Sequence, residues 1–205
     1  MTSKVCVRIA VLCLAGAWVG CGGGVNSDEQ ARRAYLGLDR SIGKSLQLGF
    51  DGFNLAQSAN ISPQTTAGDA TGTLTITGQV DQGNSANKGM RLRVGMVDYS
   101  EGPVALTLGD NNYIEVTYQT RQDNVDLQPF LQLKLNNILN GDFTGTLDGT
   151  YQMSGDVSGE VTLNLTMDGP IQDDGTGQVM RTPSATHVFG TATAGPGMYT
   201  IDITL

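Results

Sequence analysis

Thr73-Leu74-Thr75-Ile76-Thr77 alternates a large apolar side chain with threonine, residue by residue. Successive side chains of a strand point to opposite faces, so this stretch has one dry face and one wet face. The same period of two runs through the rest of the chain. It recurs in Leu92-Val94-Met96, Val104-Leu106-Leu108, Ile114-Val116-Tyr118 and Leu131-Leu133-Leu135, then across Leu147 to Met153, and in Val161-Leu163-Leu165-Met167 and Tyr199-Ile201-Ile203-Leu205. A weaker run between Pro183 and Gly190 reads as a further strand. Strands that are greasy on one side and rich in threonine on the other belong to antiparallel sheet with one solvated face. The six prolines, 63, 103, 129, 170, 183 and 196, are expected at the ends of these runs, where a missing N–H does least harm.

Upstream the period is 3.6. Ala31, Tyr35, Leu38, Ile42 and Leu46 recur at helical spacing, continued by Phe50 and Phe53. Ser27 followed by Gln30 forms a capping box, with Asp28 and Glu29 in the first turn. These signals predict a helix from 27 to about 48, extending at most to 58. Gly37, Ser41, Ser45 and Gly49 form a ridge of small residues beside the stripe, which lets a neighbouring element approach closely. Arg32, Arg33, Arg40 and Lys44 are expected on the solvated face. Ser58 to Asp69 reads as a connection.

A dry stripe on one helix and a dry face on about nine strands imply a mainly β protein. An antiparallel sheet curves over the N-terminal amphipathic helix, or closes into a barrel with the helix on or in it. A membrane-spanning barrel would show the same alternation with its faces reversed. Gly68-Asp69-Ala70-Thr71-Gly72-Thr73-Leu74 matches Gly141-Asp142-Phe143-Thr144-Gly145-Thr146-Leu147 at all but one position, which raises an internal repeat of 68–140 and 141–205.

The first residues carry a different message. Lys4 and Arg8 precede an uncharged, apolar or small stretch from Ile9 to Val19, too short to span a bilayer, followed by Gly20-Cys21 and three glycines. Val19-Gly20-Cys21 resembles the lipobox of bacterial lipoproteins, with Trp18 where leucine is usual. The resemblance covers residues 1–21 alone. It implies that residues 1–20 are removed as a signal peptide, that Cys21 is the lipidation site, and that the mature protein is anchored to the membrane by acyl chains such as palmitate. Gly22 after the cysteine, rather than Asp, resembles the outer-membrane sorting outcome. Residues 21–26 are then the lipidated cysteine with a glycine-rich spacer, whose five residues after Cys21 reach about 17 Å when extended. Residues 27–205 form a single helix-plus-β domain.

Composition excludes several functions. Cys6 and Cys13 lie in the signal, so the mature chain keeps Cys21 alone and is expected to fold without disulfides. Without Lys4 and Arg8 it retains 10 basic and 20 acidic side chains, a net of −10, which argues against nucleic acid as a partner. His187 is the only histidine, so no Cys/His metal cluster can form. Ser184 and Asp202 are available to it, but alternation does not place the three together, and a satisfied strand histidine is the expectation. No serine sits in a G-x-S-x-G elbow. Gly43-Lys44-Ser45 has the ending of a phosphate loop, but no upstream glycine at the right spacing, and it reads as mid-helix. Asp173-Asp174-Gly175 and the pair Asp123 and Asp126 could offer oxygen ligands to calcium but read better as acidic turns; Glu115 paired with some Asp could serve acid–base hydrolysis, a pairing that sequence alone does not reveal. No catalytic residue, metal ligand or cofactor is assigned. The expected function is a membrane-anchored envelope lipoprotein with a non-enzymatic binding or structural role, including binding of an apolar ligand or lipid between helix and sheet. The alternatives are a hydrolase using loop carboxylates and a purely structural envelope component.

Overall fold

The computed structural model describes Ala31 and residues 36–105 and 111–205. The threonine-flanked run lies in β2 (Thr71–Val80), where Leu74, Ile76 and Val80 are buried and the threonines between them are not. Its partners are β1 (Gln64–Ala67) and β3 (Lys88–Ser100), both antiparallel. After a small separate hairpin of β4 (Val104–Ala105) and β5 (Tyr113–Ile114) come β6 (Val116–Gln119) and β7 (Phe130–Asn136). Next are the long β8 (Asp142–Gly155) and β9 (Gly159–Asp173), the short β10 (Val179–Arg181), and finally β11 (His187–Ala194) and β12 (Gly197–Thr204).

Ten of these strands form one antiparallel sheet. Its order is β1-β2-β3, then β6 and β7 in one slot, then β8-β9-β11-β12, with β10 pairing the far end of β9. The sheet is open: β1 and β12 are its two edges and do not pair with each other. The barrel alternatives, capped or membrane-spanning, are therefore set aside, since a spanning sheet must close to satisfy its edges. Among the described residues no helix is long and apolar enough to cross a membrane.

Helix α1 (Leu36–Leu55) supplies the lid that closure would otherwise provide. Leu38, Ile42, Leu46 and Phe50 are all at most 2% exposed, and Phe50 meets Phe143 of β8 edge to face at 5.8 Å. Burying these four contributes on the order of 10 kcal/mol before conformational entropy is counted. That is as large as the net stability of a typical domain, so the helix is integral to the fold. Ser41, Ser45 and Gly49 of the small-residue ridge are buried too. The helix packs against β1, β2, β3 and β10. Asn54 near its end acts as one further rung for β10, donating from Nδ2 to Val179 O at 2.9 Å and accepting from Val179 N at 3.1 Å. Arg181 of β10 reaches Gly43 O with Nη2 at 3.4 Å.

Several expectations shift. The helix runs beyond 48 and stops at Leu55, short of 58. The capping residues Ser27 and Gln30, with Arg32, Arg33 and Tyr35, lie outside the described residues, as do Cys21, Leu106 and Leu108. β1 falls inside the supposed connection, because Gln64-Thr65-Thr66-Ala67 has no apolar alternation and pairs through its backbone to the edge of β2. The Ile114-Val116-Tyr118 run is split between β5 and β6. Five prolines lie outside strands, but Pro170 sits within β9. Ile171 N bonds Gly141 O on the β8 side, so the N–H that Pro170 lacks would face the gap where β11 gives way to β10. The two matching heptads both lead into long hairpins, β2–β3 and β8–β9, yet Gly72 has φ +71° and its counterpart Gly145 is not left-handed.

The ridge makes a paired prediction. A Cβ on Gly49 would lie 2.8 Å from Leu92 Cδ1, whereas one on Gly43 meets nothing nearer than Arg181 Nη2 at 4.0 Å. Gly49→Leu is expected to lower unfolding free energy by about 1–3 kcal/mol through overpacking. Gly43→Ala is expected to raise it by about 0.5–1 kcal/mol through helix propensity. Urea denaturation of both variants checks the contrast.

Candidate functional site

The slot shared by β6 and β7 holds the most individual feature of the molecule. Thr120 exchanges bonds with Met96 of β3: its N donates to Met96 O at 3.1 Å, and its Oγ1 accepts from Met96 N at 2.8 Å. Two residues away on β3, Val94 N donates to Pro129 O at 2.9 Å. Thr120 and Pro129 are thus near neighbours along the ladder, and residues 121–128 are an excursion from what is otherwise one strand. The excursion stands on the wet face of the sheet as a crest. Its one turn of 3₁₀ helix, Val125–Leu127, buries nothing, and Val125 and Leu127 are 49% and 56% exposed.

The crest is rigidly seated. Gln122 Nε2 donates to Met96 O and to Thr120 O, each at 2.9 Å, and Gln128 Nε2 donates to Arg121 O at 2.8 Å. Asn124 Oδ1 accepts from Asp126 N at 2.9 Å, capping the short helix. Arg121 holds Asp123 in a two-pronged pair at 2.8 and 2.7 Å, which draws the Asp123 carboxyl down to about 2. Gly95 makes room beneath: a Cβ there would lie 3.3 Å from the Gln128 amide. Arg93 braces the base, donating to Gln128 O at 3.0 Å while its guanidinium lies 4.6 Å from the Phe130 ring centre.

A concavity lies on either side. Over β8 and β9 is a cleft of about 790 Å³, lined by Gln119, Arg121, Gln122, Asp123, Gln152, Ser154 and Glu160 among others, with Leu127 as its exposed apolar part. Over β2 and β3 is one of about 500 Å³, lined by Thr77, Gln79, Arg91 and Arg93 with Val125 and Asp126 on the crest side. Arg121, Asp123 and Glu160 give the first a net charge of −1, and Arg91, Arg93 and Asp126 give the second a net of +1. Arg91 is tied to Asp81 at 2.9 Å.

A second cluster sits at the opposite face, where helix meets sheet. Lys44 Nζ lies 2.9 Å from both Asp69 Oδ1 and Glu101 Oε2, and 5.7 Å from the Tyr99 ring centre. Tyr99 donates its hydroxyl to the other Glu101 oxygen, and the Glu101 side chain is wholly buried. Lys44 was expected on a solvated face; instead it clamps α1 to the segments before β2 and after β3. Burial alone would lower the Lys44 pKa, but its hydrogen bonds to Asp69 and Glu101 raise it on balance. Asp69 is held below the ordinary carboxylate range, chiefly by its hydrogen bond from Lys44. Tyr99 is pushed up, first by burial and then by Glu101.

The residues weighed from sequence fall as follows. His187, at the start of β11 and half exposed, bonds Asp202 Oδ1 through Nε2 at 2.8 Å and stacks on Phe189 at 4.9 Å. Alternation hid that pair because it is diagonal: Asp202 lies directly opposite Phe189, not His187. Ser184 sits apart, in the turn before β11 with φ +55°. Asp173 accepts from Gly175 N and Gly177 N at 2.8 and 3.0 Å, and Asp174 accepts from Thr176 N at 2.7 Å, so both carboxylates organise the β9–β10 turn. Gly43-Lys44-Ser45 is mid-helix. Glu115, between β5 and β6, donates its N–H to Asp156 Oδ2 at 2.8 Å. Sequence reading missed the crest because Thr120 to Pro129 carries no apolar period; Thr120-Arg121-Gln122-Asp123-Asn124 looks like any polar turn.

Known proteins supply no precedent. The chain matches no family model, no curated protein and no solved structure.

The Lys44 cluster gives stability a defined pH profile. Asp69, with its folded pKa lowered, contributes above the unfolded value of 3.8, and that contribution is lost as pH falls through the folded value. Lys44, with its folded pKa raised, contributes fully below 10.5 and ceases to as pH rises through its folded value. Lys44→Met is expected to lose about 2–3 kcal/mol at pH 7, since it leaves the buried Glu101 without its cation. The gap between parent and variant should narrow below about pH 4 and above about pH 10.5. Urea midpoints across that range check it.

Proposed function

We propose that this protein is a lipoprotein of the bacterial cell envelope, tethered through acyl chains on Cys21, whose β domain has a non-enzymatic binding role exercised by its wet face. The tether rests on the resemblance of Val19-Gly20-Cys21 to a lipobox. Two acyl chains on one sulfur, with a third on the new amino terminus, give anchoring that a single reversible chain does not.

The crest carries the binding reading. An eight-residue departure from an otherwise continuous strand adds no buried apolar residue to the core, yet it is held by buried Thr120 and Gln128. Long, well-ordered loops that contribute little to packing are where binding concentrates. A ligand held between helix and sheet would need room there, and the described stripe of α1 is in direct contact with the sheet at Phe50–Phe143 and at Gly49 beside Leu92. We therefore prefer the outer face to the helix–sheet interface. Three of the candidate acids are already occupied, Asp123 by Arg121 and Asp173 and Asp174 by turn amides, which favours the binding reading over the enzymatic one.

Metabolic labelling tests the tether. The parent protein should take up labelled palmitate, and its mature mass should equal residues 21–205 plus diacylglycerol and an N-acyl chain. Cys21→Ser should take up none and should keep residues 1–20. A parent that carries no label would overturn the proposed address.

A further inference from the structure

The cleft between the crest and β8–β9 has a chemistry that narrows what can fill it. Its volume of about 790 Å³ is that of a small-molecule site rather than a crevice for one water. Arg121, Asp123 and Glu160 leave it a net charge of −1. Asp123 is neutralised by the Arg121 fork, and Glu160 accepts a bond from Gln152. An anion would meet the uncompensated Glu160, and a hydrocarbon would strip water from amides and hydroxyls with nothing in return.

What the cleft offers is neutral hydrogen bonding of both polarities. Among the described residues, the Gln119 amide and the Ser154 hydroxyl have no protein partner, and Gln122 uses only its Nε2, leaving Oε1 as an acceptor. Vicinal hydroxyls, which donate and accept together, match such a wall. Leu127, more than half exposed on the crest, gives an apolar patch for the C–H face of a sugar ring. An extended peptide fits less well. The floor strand β8 is paired on one side by β6 and on the other by β9, so it has no free backbone edge for strand addition. The wall is fixed in advance by the Thr120, Gln122 and Gln128 bonds, which limits the ordering cost of a weakly held ligand.

We infer that this cleft binds a neutral oligosaccharide, a proposal that rests on the outer face being the binding face. The cleft's open form and the lack of an aromatic platform in its lining set the expected dissociation constant at about 0.1–1 mM.

The test is an NMR titration of the full mature chain, in a detergent without a sugar headgroup, against chitotetraose, cellotetraose and maltotetraose. A charged tetrasaccharide, tetragalacturonate, and a tetra-alanine peptide are run beside them. At least one neutral tetrasaccharide should saturate, and Gln119→Ala, Ser154→Ala and Leu127→Ala should each weaken it about tenfold. Thr200→Ala, exposed on the wet face of β12, should leave it unchanged. No saturable binding by any neutral member overturns the proposal. So does binding that the three cleft variants leave intact. Saturation by the peptide or the charged sugar, weakened by Leu127→Ala, overturns the oligosaccharide while keeping the outer face as the binding face. The intact mass of the same preparation reports acylation of Cys21 separately, so a failure of the tether is not mistaken for a failure of the cleft.

Discussion

The seam between the apolar stripe of α1 and the concave side of the sheet is the contact that the rest of the structure depends on. Ten antiparallel strands with one dry face cannot stand alone in water; they must close on themselves or be covered. Here the sheet stays open at β1 and β12, and the helix covers it. Leu38, Ile42, Leu46 and Phe50 fill the concavity, while Ser41, Ser45 and Gly49 let the helix come close enough for those side chains to reach. Polar fastenings hold the register of helix on sheet: Lys44 toward Asp69 and Glu101, and Asn54 with Arg181 toward β10. Directional bonds of this kind specify position, whereas the apolar contact supplies most of the energy.

That seam has a consequence for function. With the interior filled along the helix, the proposed binding role falls to the other side of the sheet, and there the chain departs from regularity at residues 121–128. The departure is compatible with the fold because Thr120 and Pro129 hold neighbouring rungs on β3, so the ladder closes behind the loop. Gly95 on β3 and Gly149 on β8 remove side chains where the crest touches down, beside Gln128 and Pro129. The result is a braced projection on the sheet, with a hollow of net charge −1 on one flank and one of net charge +1 on the other. A site built on strand ends and braced loops holds its geometry better than one on a free loop.

Much of the fold was legible in residue order, and the physics says why. Burial on one face imposes a period of two, so β2, β3, β7, β8, β9 and β12 announced themselves, and the helix stripe did so with 3.6. β1 and β10 escaped because a short segment held by backbone pairing needs no apolar alternation. Open sheet and barrel could not be separated from the pattern, since both demand the same alternation, and closure depends on register. The site was less legible. Lys44 looks like a surface cation until Asp69 and Glu101 arrive from elsewhere in the chain, 25 and 57 residues away. The crest is written in Thr, Gln, Asn and Asp, residues whose role is decided by the backbone groups they meet and not by their spacing. Gly95 and Gly149 were the available signal: glycine inside a strand marks close approach of another backbone or side chain.

The seam itself is tested most directly at Phe50, whose ring is buried against Phe143. Equilibrium urea unfolding of Phe50→Ala, followed by far-ultraviolet circular dichroism and by tryptophan-independent tyrosine fluorescence, should show one cooperative transition with about 3–5 kcal/mol lost. A loss below about 1 kcal/mol, or a sheet signal that persists after the helix signal has gone, would mean that α1 is a solvated tether and that something else covers the sheet.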